Sequence, residues 1–224
     1  MDWSGGYQRA AASGVDLTLL ESSLALPLSE RLRHNARMVQ LCDAIRDANP
    51  RLRDQKTARR TMAAPDFQGV IRTLVDGQVD FVLIGGLAMI YHGSSHVTRD
   101  VDVCYSRTPE NIARLADCLA PLHPYLRGAP PGLPFRFDAP TITAGLNFTL
   151  DTDLGPLDVL GEVSGVGGYE QALRSSEPAE FLGMRIRVLS IDGLIAAKQA
   201  AARHKDQSHL LELEELKRMQ QGES

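Results

Sequence analysis

The run Val79-Asp80-Phe81-Val82-Leu83-Ile84-Gly85-Gly86, a spacer of thirteen residues (87–99), and then Asp100-Val101-Asp102-Val103 together decide how this chain is read. Residues 79–84 are an apolar segment of strand length that ends at two glycines, and residues 87–92 continue as a helix. A strand running into glycines and a helix start leaves bare backbone and unpaired N–H groups, where a phosphate can approach closely. Residues 100–105 alternate as a second strand. Side chains two apart on a strand share a face, so Asp100 and Asp102 stand side by side while Val101 and Val103 enter the core. Adjacent carboxylates repel unless a cation lies between them, and carboxylates acting jointly with substrate phosphates suit Mg²⁺ (or Mn²⁺). Taken singly, the glycines are a tight turn and the acids a solvated strand face. Joined by one helix they make one site, with phosphates at the glycines and metal at the acids.

Outward from this segment, Asp66 reads as the cap of a short helix bearing Phe67, Val70, Ile71 and Leu74. Thr108-Pro109-Glu110 supplies a capping hydroxyl, a proline at the first helical position and an acid at the positive pole, starting a helix to about residue 122. Residues 123–140, rich in proline, predict a surface loop. Strands over 146–150 and 157–160 flank the turn-rich Asp151-Thr152-Asp153-Leu154-Gly155-Pro156. Gly165-Val166-Gly167-Gly168 lacks the glycine spacing and acidic partner of a dinucleotide loop and reads as a flexible connection. A short helix, a hairpin over 181–188 and helices over 191–204 and 206–219 follow. Before residue 65, Ser29 reads as the N-cap of a helix to Ala48, which Asn49-Pro50 stops, and residues 51–64 read as a linker. The chain thus divides into a basic helical N-terminal extension (1–64) and an α+β domain (65–224), a small mixed sheet backed by helices.

With 224 residues, 43% hydrophobic and 23% charged, the chain can bury a core. It carries no bilayer-length apolar run and no basic-then-apolar start, which predicts a cytoplasmic protein with no membrane partner. Cys42, Cys104 and Cys118 are odd in number and unrelated in spacing, which favours reduced thiols over a disulfide framework or zinc knuckle. The net charge of −4 hides an asymmetry, because residues 31–60 hold nine Lys or Arg against three Asp, a local +6. That block is either a grip for a polyanion or a solvated helix face and linker. His92 and His96 could join the acids around a transition metal, but Gly93-Ser94-Ser95 breaks the helix that would align them, so a loop role is favoured. Neither a Walker loop nor a Gly-x-Ser-x-Gly elbow occurs.

Ile84-Gly85-Gly86, the spacer and Asp100-Val101-Asp102-Val103 resemble the signature of the polymerase-β-type nucleotidyltransferase superfamily, with the spacer at the long end of its range. The wider stretch, including His92-Gly93-Ser94 and Thr98-Arg99-Asp100, looks most like the bacterial nucleotidyltransferases of the abortive-infection and toxin–antitoxin type, and the resemblance extends over residues 65–216. It implies the nucleotidyltransferase fold and a third carboxylate on a later strand. Asp158, between apolar neighbours, is the best candidate; Asp151 and Asp153 compete but sit in the turn. By the same resemblance, Asp100, Asp102 and Asp158 are the catalytic and metal-binding residues, with Asp158 also a candidate proton acceptor. Gly85, Gly86, Ser94, Arg99, Lys198, Arg203 and Asp206 are the implied nucleotide-binding set. The resemblance also implies a C-terminal helical motif, which Lys198, Arg203, Lys205 and Asp206 fit and which should close with a second Asp three residues on; His209 stands there instead.

The expected activity is transfer of an NMP from an NTP to an acceptor hydroxyl with release of pyrophosphate. The 3′ end of tRNA is the favoured acceptor, an antitoxin protein a candidate partner, and a protein or antibiotic hydroxyl the alternative. A catalytically silent RNA- or protein-binding module is the rival. The set of three acids argues against it, because a module without chemistry has no reason to keep like charges together.

Overall fold

The computed structural model describes residues 15–48, 65–130, 132–202 and 206–222. Helices α1 (Leu17–Ala25) and α2 (Leu28–Ala48) precede α3 (Phe67–Asp76), β1 (Phe81–Ile84), α4 (Gly85–His92), β2 (Val101–Tyr105) and α5 (Pro109–Leu119). Then come β3 (Tyr125–Leu126), α6 (Ala139–Ala144), β4 (Asn147–Thr152), β5 (Gly155–Leu160), the small pair β6 (Glu162–Val163) and β7 (Gly167–Gly168), and α7 (Tyr169–Arg174). The hairpin β8 (Ser176–Phe181) and β9 (Met184–Leu189) leads to α8 (Ile191–Ala201) and α9 (Asp206–Gln221). Seven strands form one mixed sheet in the order β3-β4-β5-β2-β1-β9-β8. The α+β class therefore holds. Among the described residues no helix is long and apolar enough to cross a membrane.

Strand β1 lies between β2, to which it is antiparallel, and β9, to which it is parallel, and all four of its residues are buried. A strand covered on both faces reads as a continuous apolar run, as 81–84 does. Strand β5, by contrast, alternates: Leu157 and Val159 are buried while Asp158 is half-buried on the other face. The expected caps are present, Asp66 accepting from Gly69 N–H and Thr108 from Asn111 N–H. Three details differ from expectation. The carbonyl of Pro27 accepts the N–H of Arg31, so α2 starts one residue before Ser29, which lies inside its first turn. Strand β4 extends through Thr152 because it pairs with β5 up to a two-residue turn (Asp151↔Pro156, Thr152↔Gly155) and with β3 on its other edge (Tyr125↔Asp151), so Asp151 is a strand residue and not part of the turn. The proline-rich segment is no simple surface loop: it contributes β3 and buries Phe137 against Phe148, ring centroids 5.5 Å apart.

The described part of the N-terminal region is woven into the rest. Leu17 and Leu20 of α1 pack with Ile191 and Leu216, and Leu32 of α2 joins the main core. Arg31 donates to the carbonyls of Ile90 (3.0 Å) and Tyr91 (2.7 Å), which closes the C-terminal end of α4. Residues 49–64, with the expected linker and most of the basic block, lie outside the described residues. The three cysteines are free, and burial pushes the Cys104 thiol up to about 12.

Candidate functional site

Register builds the acidic site. Strands β2 and β5 pair in parallel with Asp102 opposite Asp158, so both side chains leave the sheet on one face. Asp100, two residues before Asp102, shares that face. One carboxylate oxygen from each of Asp100, Asp102 and Asp158 lies within 4.8 Å of the others. Hard, clustered oxygen donors of this kind fit a divalent cation such as Mg²⁺ or Mn²⁺. Electrostatics agree, because crowding like charges raises carboxyl pKa values. Burial, with the charges of Asp100 and Asp158 added, raises Asp102 to about 7, against pulls from the Gly86 N–H and Lys198. Burial also raises Asp158 to about 6, with Arg127 opposing. The cluster is costly without a cation, which is the signature of a binding site more than of a folding device.

The glycines earn their place differently from expectation. Gly85 has φ +64, and a Cβ there would collide with the Asp102 carboxylate; a Cβ on Gly86 would collide with the Thr98 hydroxyl. The Gly86 N–H lies close enough to pull the Asp102 carboxyl pKa down against burial, so the start of α4 abuts one acid of the cluster. The absence of side chains thus lets the helix start approach the acids.

Most of the remaining candidates brace the loop that delivers Asp100. Asn35, buried in α2, takes both polar groups of Thr98, its amide donating to the carbonyl (2.9 Å) and its oxygen accepting the N–H (2.7 Å). Thr98 in turn donates its hydroxyl to Asp100 Oδ1 at 2.8 Å. Arg99 donates to both oxygens of Asp43 at 2.7 Å. Ser94 and Ser95 bind Glu212 of α9 through both hydroxyls and the Ser95 N–H, at 2.8 to 2.9 Å. Lys198, whose charge reaches Asp102, pairs with the buried Asp206 at 3.1 Å. His209 lies 3.6 Å from Asp206 and its ring centroid is 3.9 Å from that of His96. His92 is apart from the acids, with Nε2 2.8 Å from the Leu189 carbonyl, and burial lowers its pKa. Arg203 lies outside the described residues.

Of two further residues at the site, the sequence pattern leaves Arg127 unmarked and offers Asp151 only as a competitor of Asp158 for the third carboxylate. Arg127, just after β3, reaches Asp158 at 2.8 Å, Asp151 at 3.2 Å and Asp100 at 3.6 Å. Asp151, placed in the turn by sequence pattern, shares this face through the extended β4. No local signal marks Arg127: its partners are 24 to 31 residues away and meet it only through the β3–β4 pairing.

No protein-family model matches the chain, and no curated protein matches it. Among solved structures the chain is similar to a crystal structure from Thermotoga maritima presented as that of a candidate nucleotidyltransferase, with a TM-score of 0.45 and 16% identity over 69% of this chain and 96% of that one.

Proposed function

We propose that the chain is a metal-dependent nucleotidyltransferase that moves an NMP from an NTP to an acceptor hydroxyl and releases pyrophosphate. The observation that carries this reading is the convergence of Asp100, Asp102 and Asp158 on one face, beside a glycine-opened helix start. These three residues would hold Mg²⁺ or Mn²⁺, and the bound ion would supply Lewis-acid polarisation and charge neutralisation at the phosphates. Asp158, a carboxylate on the same face as Asp100 and Asp102, is the candidate to accept the proton of the attacking hydroxyl. Lys198, at the flank of Asp102, is suited to a phosphate oxygen of the triphosphate, with Asp206 holding its ammonium in place. Thr98, bonded to Asp100, keeps that carboxylate turned toward the cluster.

The favoured acceptor is the 3′ end of tRNA, with an antitoxin as a possible regulator, and a protein or antibiotic hydroxyl is the alternative. What supports RNA is the basic block. Arg31 is engaged with carbonyls and Arg33 with Glu30, while Arg37 is exposed on α2, and Arg51, Arg53, Lys56, Arg59 and Arg60 lie outside the described residues. A second reading, a binding module without chemistry, draws on the guanidinium of Arg127 among the acids.

Incubation of the protein with each labelled NTP, Mg²⁺ or Mn²⁺, and bulk tRNA tests the proposal. Label transfer by the wild type, lost in Asp100→Ala and Asp102→Ala, is the expected result. Failure to label RNA, protein, an aminoglycoside or a lincosamide with either ion refutes it.

A further inference from the structure

Arg127 is the basic side chain that ion-pairs with the acidic cluster, with Asp158 at 2.8 Å, Asp151 at 3.2 Å and Asp100 at 3.6 Å, and its side chain is only 16% exposed. Its other polar contact there is the Leu150 carbonyl, 2.9 Å from the same nitrogen that reaches Asp158. Two of its three acidic partners, Asp100 and Asp158, belong to the three carboxylates that converge tightly enough to hold a metal. The same oxygens cannot serve a guanidinium and a divalent cation at full strength, because each like-charged guest is repelled by the other.

The backbone around Arg127 is tied down independently of its side chain. Its N–H donates to the Thr149 carbonyl at 2.9 Å, which ties it to the edge of β4. The following loop is closed by Tyr125, whose hydroxyl donates to the Pro130 carbonyl (2.7 Å) and accepts from the Leu133 N–H (3.0 Å). Asp151, which is not one of the converging three, gives the guanidinium a place to remain paired when Asp100 and Asp158 are taken by another cation.

We propose that Arg127 is a built-in counter-cation of the acidic site: it neutralises Asp100 and Asp158 in the metal-free chain, competes with the divalent ion for them, and falls back on Asp151 when the ion binds. The inference rests on the reading of the three acids as a metal site. Its consequence is that metal affinity is set below what the three carboxylates alone would give. A chain that is metal-free at low ion concentration then keeps its acids paired and avoids their mutual repulsion.

The test is Mn²⁺ binding by the full chain, read as loss of the free-ion electron paramagnetic resonance signal, for wild type, Arg127→Gln, Arg127→Lys and Asp100→Ala. Arg127→Gln is expected to bind Mn²⁺ about ten-fold more tightly, since a unit charge a few ångströms away is removed. Arg127→Lys keeps the charge but cannot span three carboxylates, and is expected to gain less, about two- to three-fold. Should Arg127→Gln prove too unstable to titrate, Arg127→Lys and the Mn²⁺-induced rise in melting temperature, larger in the variant than in the wild type, carry the comparison. Wild-type binding that Asp100→Ala abolishes, with folded Arg127 variants binding no more tightly, overturns the counter-cation and leaves the metal site standing. Absence of Mn²⁺ binding in wild type and variants alike overturns both.

Discussion

Replacing Asp102 by Asn should stabilise the metal-free protein at alkaline pH while abolishing metal binding. In the unfolded chain the carboxyl titrates near 3.8, and in the fold burial, with its two acidic neighbours added, lifts it to about 7. The folded state therefore binds the proton more tightly than the unfolded state. It follows that the contribution of Asp102 to stability is fully present below pH 4 and is lost as pH rises through about 7, while the Asn variant lacks this loss. At about 1.4 kcal/mol per pH unit, the gap sets an upper bound of about 4 kcal/mol. Part of that lift is repulsion from the charges of Asp100 and Asp158, which the fold relieves in other ways when Asp102 is neutral, so a gain of about 2 kcal/mol is expected at pH 8. Urea unfolding in EDTA at pH 4, 6 and 8 measures it, and Mn²⁺ titration reports the lost site. A variant that is less stable than wild type at pH 8, or a difference that does not grow between pH 4 and 8, would show that Asp102 is not held against its own charge.

Three further outcomes follow from the same geometry. Gly85→Ala forces a left-handed residue with a Cβ against the Asp102 carboxylate, and should cost about 2–3 kcal/mol in urea unfolding and weaken Mn²⁺ binding; unchanged binding would mean the helix start does not position that acid. Asn35→Ala strips Thr98 of both backbone partners in a buried position and should cost about 2–4 kcal/mol, with Asn35→Asp, which keeps the acceptor, intermediate in stability and in Mn²⁺ affinity. Charge reversal at Arg51, Arg53, Arg59 and Arg60 should weaken tRNA binding and flatten its salt dependence, and filter binding with unaltered salt slope would remove the reason for preferring RNA.

What the sequence discloses here is whatever depends on short-range period. Asp100 and Asp102 are legible as a pair because two residues on a strand share a face, and Asp158 is legible because apolar residues bracket it. The caps at Asp66 and Thr108 are equally local. Pairing partners are not local. The register that sets Asp102 opposite Asp158, the pairing of β4 on both its edges that draws Asp151 out of the turn, and the reach of Arg127 across to Asp100 are all decided by which strands meet. The same holds for Asn35 and Thr98, 63 residues apart: a single Asn on an amphipathic helix carries no mark of the loop it will hold.

The contacts of Ser94, Arg99 and Lys198 change what a site residue means in this fold. Each was picked out for a phosphate, and each is bonded to an acid on another element: Glu212 of α9, Asp43 of α2 and Asp206 at the start of α9. A loop that must hold Asp100 next to two other carboxylates is under outward electrostatic pressure, and local turn bonds are weak against it. Tying the loop to helices at both ends of the chain spreads that pressure over Asn35, Arg99 and Glu212, which come from α2, the loop itself and α9. On the proposed reading Ser94 and Arg99 would serve by positioning Asp100, while Lys198 stays near enough to Asp102 for its charge to be felt there and to meet a phosphate oxygen. The N-terminal helices then belong to the acidic site as its scaffold, and the basic character of α2 is in part the chemistry of that attachment, as Arg31 on the Ile90 and Tyr91 carbonyls shows.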